Sequence, residues 1–550
     1  MLKTRSKWLS TLSIGILRAK ESIKNCPRDG TVCRSEQLRS LSPVRSSFGF
    51  DVLVWVGEAF FRRQRSVAET VMELHSRNVF LSSREVGYLG RRFIVYLALA
   101  HRAGLDRLNM VMRRRGGYIL HIDGTCEGDS PMLFTGMDEL LPVVLDNVKI
   151  PSEQAELLIP FLTGIRQRHG VPAALVHDMG RGILAAVAEV FPEVPDFICH
   201  YHFLRDIGKD LLEDDYQTVR ALLQKHKARA LLRQKLKSLR QAAEENSQAP
   251  REPKRSETEE SAEQVCLALI QWILDFPIEL AGYGFPFDRP HLALYHRLKT
   301  ACGLMGAAAR RRLASSSVLS TIPRNLSRLL KSIIEDRALS ETVRRLEDKA
   351  AVFDRLRRAL DIAMPDGENG LNDDGGAAEL KTVARRVNEF RQWLQSTKDL
   401  AKEKGFHKML EQIDKYWDKL FADPIRAETP DGPVWLQPQR TNNIMERFFR
   451  DLKRDSRRRT GTSSLTKTLR AILADTPLVK NLDNPEYMKI LLDESSTLEQ
   501  RFARIDGTEA QKEMRRASSG TERMPPALKK LIRRPDFTQH VKRAFSARAN

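Results

Sequence analysis

Hydrophobic positions divide the chain into stretches with different periods. Between about residues 49 and 114, apolar residues recur every three to four positions, which is the spacing of a helix with one buried face. Here VAETVMELHSRN is followed, after a short break, by SREVGYLGRRFIVYLALAHR, and Ser82 with Glu85 has the form of a capping box. The pattern predicts helices, arranged either as a helix-turn-helix or as an ordinary helical hairpin.

Short apolar runs replace the helical period between residues 117 and 202. YILHIDGT, PMLFTGMDE and LPVVLDNVK predict three strands bounded by turn residues. A helix over residues 152–170, the strand AALVHDM, the helix GILAAVAEVF and the strand DFICHYH are predicted to follow. The order β-β-β-α-β-α-β, three antiparallel strands followed by α/β crossovers, is that of an RNase H-like fold.

Helical spacing then dominates from Phe203 to about Ala422, and a basic helix begins within TNNIMERFFRDLKRDSRRRTG. We therefore expect an α/β RNase H-like core that is interrupted by a large all-α insertion and preceded by a small helix-turn-helix-like domain. The predicted divisions are a basic N-terminal arm (1–48), the helix-turn-helix-like domain (49–114), the first part of the core (115–204), the all-helical insertion (205–435), the last part of the core (436–498) and a basic C-terminal tail (499–550).

The charge of the chain favours a polyanionic partner. Lys and Arg number 91 against 71 Asp and Glu, a net charge of +20, and the excess is concentrated near both ends and within residues 447–459. Nucleic acid is the partner that such placed basic charge indicates. Six Cys in 550 residues are too few for a disulfide scaffold, which favours the cytoplasm. No apolar run approaches the ~18 residues that a membrane helix needs, so no membrane association is expected.

Two acids stand where predicted strands end, Asp123 and Asp178. Open α/β sheets carry their chemistry at such positions, although Asp there is also a common turn former. Two converging carboxylates repel each other unless a divalent cation neutralises them, and hard oxygen ligands favour Mg²⁺ or Mn²⁺. A third acid, Glu446, lies on the predicted basic helix with Arg450 and Lys453 on the same face.

Taken together, HIDGT, LVHDMG, CHYHFLRDIGKDL and TNNIMERFFRDLKRDSRRRTG resemble the signature set of DDE transposases of bacterial insertion sequences. They most resemble the branch allied to the Mutator-like superfamily, over roughly residues 48–484. The resemblance implies that Asp123, Asp178 and Glu446 are the catalytic residues and the ligands of two Mg²⁺ or Mn²⁺ ions. Cys199 and His202 match the C-x2-H pair of that branch. This pair alone is too small for a zinc site, and Cys126 and His200 are the available additional ligands.

The resemblance also implies the activity. A transposase would cut DNA at the ends of an insertion sequence, and the freed 3′-hydroxyl would attack target DNA, so its partners would be terminal inverted repeats, target DNA and further copies of itself in a dimer or larger assembly. We expect it to be cytoplasmic and associated with the nucleoid. The residues expected to contact DNA are Arg84, Arg91 and Arg92 in the helix-turn-helix candidate, and Asn443, Arg447, Arg450, Lys453, Arg454 and Arg457 in the basic helix.

Several alternatives stay open at this point. The third acid could be Asp206 or Asp210, which follow the last predicted strand directly. Cys26 and Cys33 could belong to a zinc site, although no second close pair is near. The chain could also be a catalytically silent DNA-binding protein derived from a transposase, or an RNase H-like nuclease that cuts without joining.

Overall fold

The chain folds into two units of different composition. The structure, a computed structural model, describes residues 3–248, 262–313, 321–364, 380–397, 403–421, 423–519 and 526–546. Unit 1 comprises Met1–Asp196, Pro424–Pro438 and Ile444–Asn550, and unit 2 comprises Phe197–Asp423 and Gln439–Asn443. None of the described helices is long and apolar enough to cross a membrane.

A small antiparallel sheet lies in the region where the sequence predicted only a basic arm. Its strands are β1 (Lys3–Thr11), β2 (Gly15–Asn25) and β3 (Val32–Cys33), and a short helix, α1 (Glu36–Leu41), follows them. β1 and β2 form a hairpin that pairs from Lys3–Ile23 to Thr11–Gly15. Of the apolar residues in these two fully described strands, Leu9 and Ile23 are the buried ones. So few buried positions leave a weak alternation, and the hairpin was therefore missed.

Four helices follow, as the helical period predicts: α2 (Phe50–Phe61), α3 (Val67–His75), α4 (Ser83–Ala103) and α5 (Leu105–Arg114). The predicted capping box is present, because Ser82 Oγ accepts the Glu85 N–H and the Glu85 carboxylate accepts the Ser82 N–H. α4 is buried along most of its length, with Phe93 and Leu97 fully enclosed. It is therefore a central helix of unit 1 that leaves its first turns at the surface.

A five-stranded mixed sheet forms the middle of unit 1. Its strands are β4 (Ile119–Thr125), β5 (Met132–Asp138), β6 (Val143–Ile150), β7 (Ala174–His177) and β8 (Asp196–Ile198), and the spatial order is β6-β5-β4-β7-β8. β4, β5 and β6 are antiparallel neighbours, whereas β7 lies parallel to β4. The crossovers are α6 (Ala155–His169) and α7 (Arg181–Val190). The predicted element order is confirmed, although β8 ends at Ile198, earlier than the run DFICHYH suggested, and the division between the units falls within it.

Apart from the last two residues of β8, the described elements of unit 2 are helices. Its elements are α8 (His200–Lys225), α9 (Ala228–Gln248), α10 (Ala262–Leu274), a 3₁₀ helix (Phe276–Glu279), α11 (Pro290–Leu313), α12 (Thr321–Ile334), α13 (Arg337–Leu360), α14 (Leu380–Ser396), α15 (Lys404–Lys415) and α16 (Trp417–Leu420). This agrees with a helical insertion, except at its predicted end. A hairpin of β9 (Ile425–Thr429) and β10 (Gly432–Leu436) lies within the predicted insertion and belongs to unit 1.

The chain returns to unit 1 through a further series of helices: α17 (Asn443–Thr460), α18 (Thr466–Ala471), a 3₁₀ helix (Thr476–Asp483), α19 (Pro485–Leu492), α20 (Leu498–Ala503), α21 (Gly507–Ser519), α22 (Pro526–Ile532) and α23 (Phe537–Ser546). Met445 and Phe448 of α17 join the core formed by α2, α4 and the sheet. Phe502 and Ala510 are buried in the same core. The residues up to about 519 are thus part of the folded unit, whereas the sequence placed them in a tail.

Candidate active site

The pairing of β4 with β7 places two acids at one edge of the sheet. The parallel register runs Ile119–Ala174, Leu120–Leu175 and His121–Val176. Asp123 and Asp178 each follow the last of these pairs by two residues, and both are half-buried. Adjacent strands lie about 4.8 Å apart, so both carboxylates leave the sheet at the same level. β4 and β7 are neighbours, and Asp178 directly follows β7, whereas Asp123 lies within β4, which continues to Thr125.

Side-chain hydrogen bonds hold the backbone near both acids. The His177 Nδ1–H donates to the Asp178 carbonyl oxygen at 2.8 Å, and its Nε2 lies 3.2 Å from Asp196 Oδ2. Asp123 Oδ1 accepts the N–H of Gly124 at 2.7 Å. His177 is fully buried, so the His177–Asp196 pair holds the end of β7 from inside the sheet. Local sequence pattern does not indicate this pair, because Asp196 lies on a different strand, β8.

Glu153 contacts the same turn from the loop that follows β6. A Cβ added to Gly180 would overlap Glu153 Oε1, and one added to Gly182 would overlap the Glu153 carbonyl oxygen. Gly180 is the N-cap residue of α7. Two glycines therefore let the loop approach the N-terminus of α7 closely, and an acid beside that terminus is favoured by the helix dipole. Glu153 is a second residue that local sequence pattern did not mark.

The third predicted ligand, Glu446, lies in the first turn of α17 and is half-buried. Its neighbours Met445 and Phe448 are buried with Leu120 and Ile122 of β4, so α17 begins against the core that supports the two acids. In the described part of the chain, the carboxylate oxygens of Asp123, Asp178 and Glu446 do not all lie within 4.8 Å of one another. The structure thus brings the two Asp residues to one edge, and Glu446 belongs to the same unit.

The rival third acids are both in unit 2. Asp206 and Asp210 lie on α8, and Asp210 Oδ2 forms an ion pair with Lys408 Nζ at 2.6 Å. Asp206 Oδ1 lies 3.4 Å from Nε of the adjacent Arg205. These neighbours give both carboxylates cationic partners within the helical unit.

Both residues of the C-x2-H motif, Cys199 and His202, lie in unit 2. Cys199 is fully buried before α8, and its Sγ accepts the N–H of Asn442 at 3.1 Å. The His200 N–H donates to the Arg440 carbonyl oxygen at 2.8 Å, and His200 Nε2–H donates to that of Leu420 at 2.8 Å. Burial lowers the pKa of His200 to about 3, which keeps the ring neutral. Cys199 and His200 therefore anchor the chain segment that leads into α17. A ring nitrogen of His202, in the first turn of α8, lies within 4.8 Å of Cys199 Sγ.

This anchoring corrects the prediction for Asn443. Thr441, Asn442 and Asn443 are each no more than 2% exposed. A side chain enclosed to this extent cannot reach a phosphate, so Asn443 is a structural residue rather than a DNA contact.

The basic residues predicted to contact DNA fall into two groups. Arg84, Arg447, Arg450, Lys453 and Arg457 are exposed, Arg91 is half-buried, and Arg454 is paired with Asp451 at 3.0 Å. Arg92, by contrast, is 2% exposed, and its guanidinium donates to the Val44 carbonyl oxygen at 2.7 Å. The prediction for Arg92 is therefore wrong, because this side chain is enclosed within unit 1. The helix-turn-helix candidate keeps Arg84 at the exposed start of α4.

The two N-terminal cysteines, Cys26 and Cys33, lie directly after β2 and in β3. Cys33 is exposed and Cys26 is half-buried. Among the described residues, neither belongs to a group of three or more His, Cys, Asp or Glu whose ligand atoms all lie within 4.8 Å of one another. Zinc needs four ligands in structural sites, so this segment does not fit one.

Comparison of the sequence with models of known protein families gives no match, and comparison with curated proteins gives none either.

Proposed function

We propose that the chain is a DDE transposase of the insertion-sequence type, which cuts DNA at element ends and joins the freed 3′-hydroxyl to target DNA. The observation that carries this proposal is the parallel register of β4 and β7, with Asp123 and Asp178 at the same edge. The strand order β6-β5-β4-β7-β8, three antiparallel strands followed by two helical crossovers, supports an RNase H-like core. The similarity of the four sequence motifs to those transposases supplies the reaction type.

Glu446 is the third acid of the proposed site. It shares unit 1 with Asp123 and Asp178, whereas Asp206 and Asp210 belong to unit 2 and have cationic neighbours there. Its helix is supported by the same core as β4.

The residues present fit Mg²⁺ or Mn²⁺. Asp123 and Asp178 offer hard oxygen donors, and both are half-buried, which leaves room for the water molecules that Mg²⁺ retains. Asp123, Asp178 and Glu446 would hold two ions, which when bound would polarise the attacking oxygen and stabilise the leaving oxygen. The role of the chain is to hold three carboxylates on rigid elements, with His177 and Glu153 fixing the turn after β7.

DNA would lie along the exposed side of α17. Arg447, Arg450, Lys453 and Arg457 are spaced three to four residues apart and are all exposed. Such spacing lines one helical face with cations, which suits a phosphate backbone. These contacts would position the strand for cleavage without reading its sequence. As in the transposases it resembles, we expect the chain to act on paired ends as a dimer or larger assembly.

Strand cleavage by purified protein tests the proposal. The substrate is duplex DNA taken from the sequences that flank the gene, including any inverted repeats, in the presence of Mg²⁺. Asp123→Asn, Asp178→Asn and Glu446→Gln each keep the side-chain volume and remove the charge that binds metal. We expect each change to lower cleavage by about a thousandfold or more while end binding stays near wild type. Asp206→Asn is the matched control and should retain activity.

Each alternative has its own outcome. Cleavage without joining of the 3′-hydroxyl to target DNA would indicate a nuclease. End binding without cleavage by the wild-type protein would indicate a catalytically silent DNA-binding protein. Full activity of any of the three variants, or loss of activity in Asp206→Asn alone, would overturn the assignment of the site.

A further inference from the structure

The N-terminal hairpin has two faces of different character. Its inner face carries the buried Leu9 and Ile23. Lys7 Nζ on the same face donates to Ser42 Oγ at 2.8 Å, and Glu21 Oε1 accepts the Ser35 N–H at 3.3 Å. At the turn, Asp51 Oδ2 accepts the N–H groups of Leu12 and Ser13, at 2.8 and 3.0 Å. The hairpin is thus fixed to the rest of unit 1 through one face and its turn.

The outer face combines an exposed tryptophan with cations. Trp8 is 64% exposed and lies directly across from Arg18 in the β1–β2 register, and Ser6 lies across from Lys20. Ile16 is 53% exposed further along this face, and Lys24 continues the basic row. No described carboxylate is ion-paired with Arg18, Lys20 or Lys24. The acid in β2, Glu21, points to the opposite face.

This combination fits duplex DNA. An exposed Trp is a large amphipathic contact surface. The positive side chains beside it favour a polyanionic partner. Two strands about 4.8 Å apart, with their side chains, match a major groove about 12 Å wide, which admits a two-stranded β-ribbon. The fixed attachment of the inner face means that little ordering is needed when the ribbon binds.

We infer that the outer face of this hairpin is a β-ribbon that docks into a groove of duplex DNA, with Trp8 and Ile16 against bases and sugars and Arg18, Lys20 and Lys24 on phosphates. The inference takes its choice of DNA from the proposed function but does not depend on catalysis. It adds a contact surface that is separate from α17 and from the start of α4.

Anisotropy of a short labelled duplex in EDTA, titrated with the full-length protein, tests the inference without strand cleavage. Trp8→Ala should weaken duplex binding by about tenfold through loss of the aromatic contact. Arg18→Gln with Lys20→Gln should lower the slope of log K against log salt by about two, one unit for each lost phosphate contact. Because these side chains are exposed, neither change should alter thermal stability.

Matched controls separate this face from general effects of charge and exposure. Lys3→Gln with Arg5→Gln removes the same charge from the opposite face, and Trp435→Ala removes another exposed Trp that also lies across from an Arg, on β10. Both controls should bind as the wild type does.

Wild-type binding by the Trp8 and Arg18/Lys20 variants would overturn the inference. The inference would also be overturned if the variants lost affinity only for the single-stranded form of the same DNA sequence. A change in the oligomeric state of the variants, with duplex affinity unchanged, would overturn it as well. Loss of duplex binding in these variants would support the β-ribbon inference even if Asp123→Asn left strand cleavage unchanged. The failure of this inference can therefore be distinguished from the failure of the proposed function.

Discussion

At the scale of single residues, His101 shows how burial sets the response of the fold to pH. It is fully enclosed on α4, where its Nε2–H donates to the Leu145 carbonyl oxygen at 3.1 Å and its Nδ1 accepts the Tyr487 hydroxyl at 2.8 Å. Burial lowers the pKa of His101 from 6.5 to about 4. A proton on Nδ1 would face the hydroxyl that now donates to it. The neutral ring is therefore the form that the fold stabilises.

This lowered pKa predicts a loss of stability in acid. The folded state binds the proton more weakly than the unfolded chain does, so the contribution is complete above pH 6.5 and is lost as the pH falls towards 4. The full loss is about 3 kcal/mol in the free energy of unfolding. Urea unfolding at a series of pH values should show the gap between wild type and His101→Gln narrowing by about that amount.

The comparison between the two proteins isolates His101, because His169 and His200, whose pKa values burial also lowers, are present in both. A gap that stays constant over this range would contradict the assigned tautomer and burial. Tyr487→Phe removes only the donated hydroxyl and should leave the pH dependence in place.

At the scale of elements, the turn between β7 and α7 depends on close backbone approach. Gly182→Ala would place a methyl group against the Glu153 carbonyl oxygen, which belongs to the backbone and cannot rotate away. We expect a destabilisation of about 1–3 kcal/mol and a large loss of strand cleavage, since the turn carries Asp178. Gly180→Ala should cost less, because it meets the end of the flexible Glu153 side chain.

Gly87 provides the matched control for this prediction. It lies in α4 with open space where a Cβ would be, so Gly87→Ala should stabilise unit 1 by about 0.5–1 kcal/mol. Thermal unfolding of the three variants measures the order directly. If Gly182→Ala were as stable as Gly87→Ala, the loop after β6 could not lie where the structure places it.

The elements also show what local pattern can and cannot predict. Runs such as that ending in Asp123 were predictable, because strands buried on both faces read as short apolar stretches between turn residues. The β1–β2 hairpin was not, because its outer face is polar and its inner face buries little. Asn443 was misassigned for a related reason: polar residues signal a surface unless tertiary hydrogen bonds enclose them, as the bond from the Asn442 N–H to Cys199 does.

At the scale of the whole molecule, the net positive charge indicates a binding surface only where the basic side chains are exposed. Arg92 and Arg357 are buried and contribute to packing, whereas Arg450 and Lys453 are exposed on α17. Composition alone could therefore indicate a polyanionic partner. The long separation of Asp123 from Glu446 along the chain could be anticipated only from the resemblance to transposases. The fold was needed to identify which Lys and Arg side chains are exposed and could contact that partner.

The salt dependence of DNA binding tests that placement. Each phosphate contact contributes about 0.9 to the slope of log K against log salt. Neutralising Arg450 and Lys453 together, as Arg450→Gln with Lys453→Gln, should flatten the slope by about two units for any duplex sequence. The reason is that phosphate contacts carry the electrostatic part of the affinity and not the sequence preference.

A pair with the same spacing and charge serves as control on the helical unit, Arg328→Gln with Lys331→Gln, both exposed on α12. The two double variants have identical net charge, so any difference between their slopes reports where the DNA lies rather than how basic the protein is. Equal flattening in both would mean that binding follows net charge alone. A slope reduced only by the α17 changes would place the phosphates along the helix that carries Glu446.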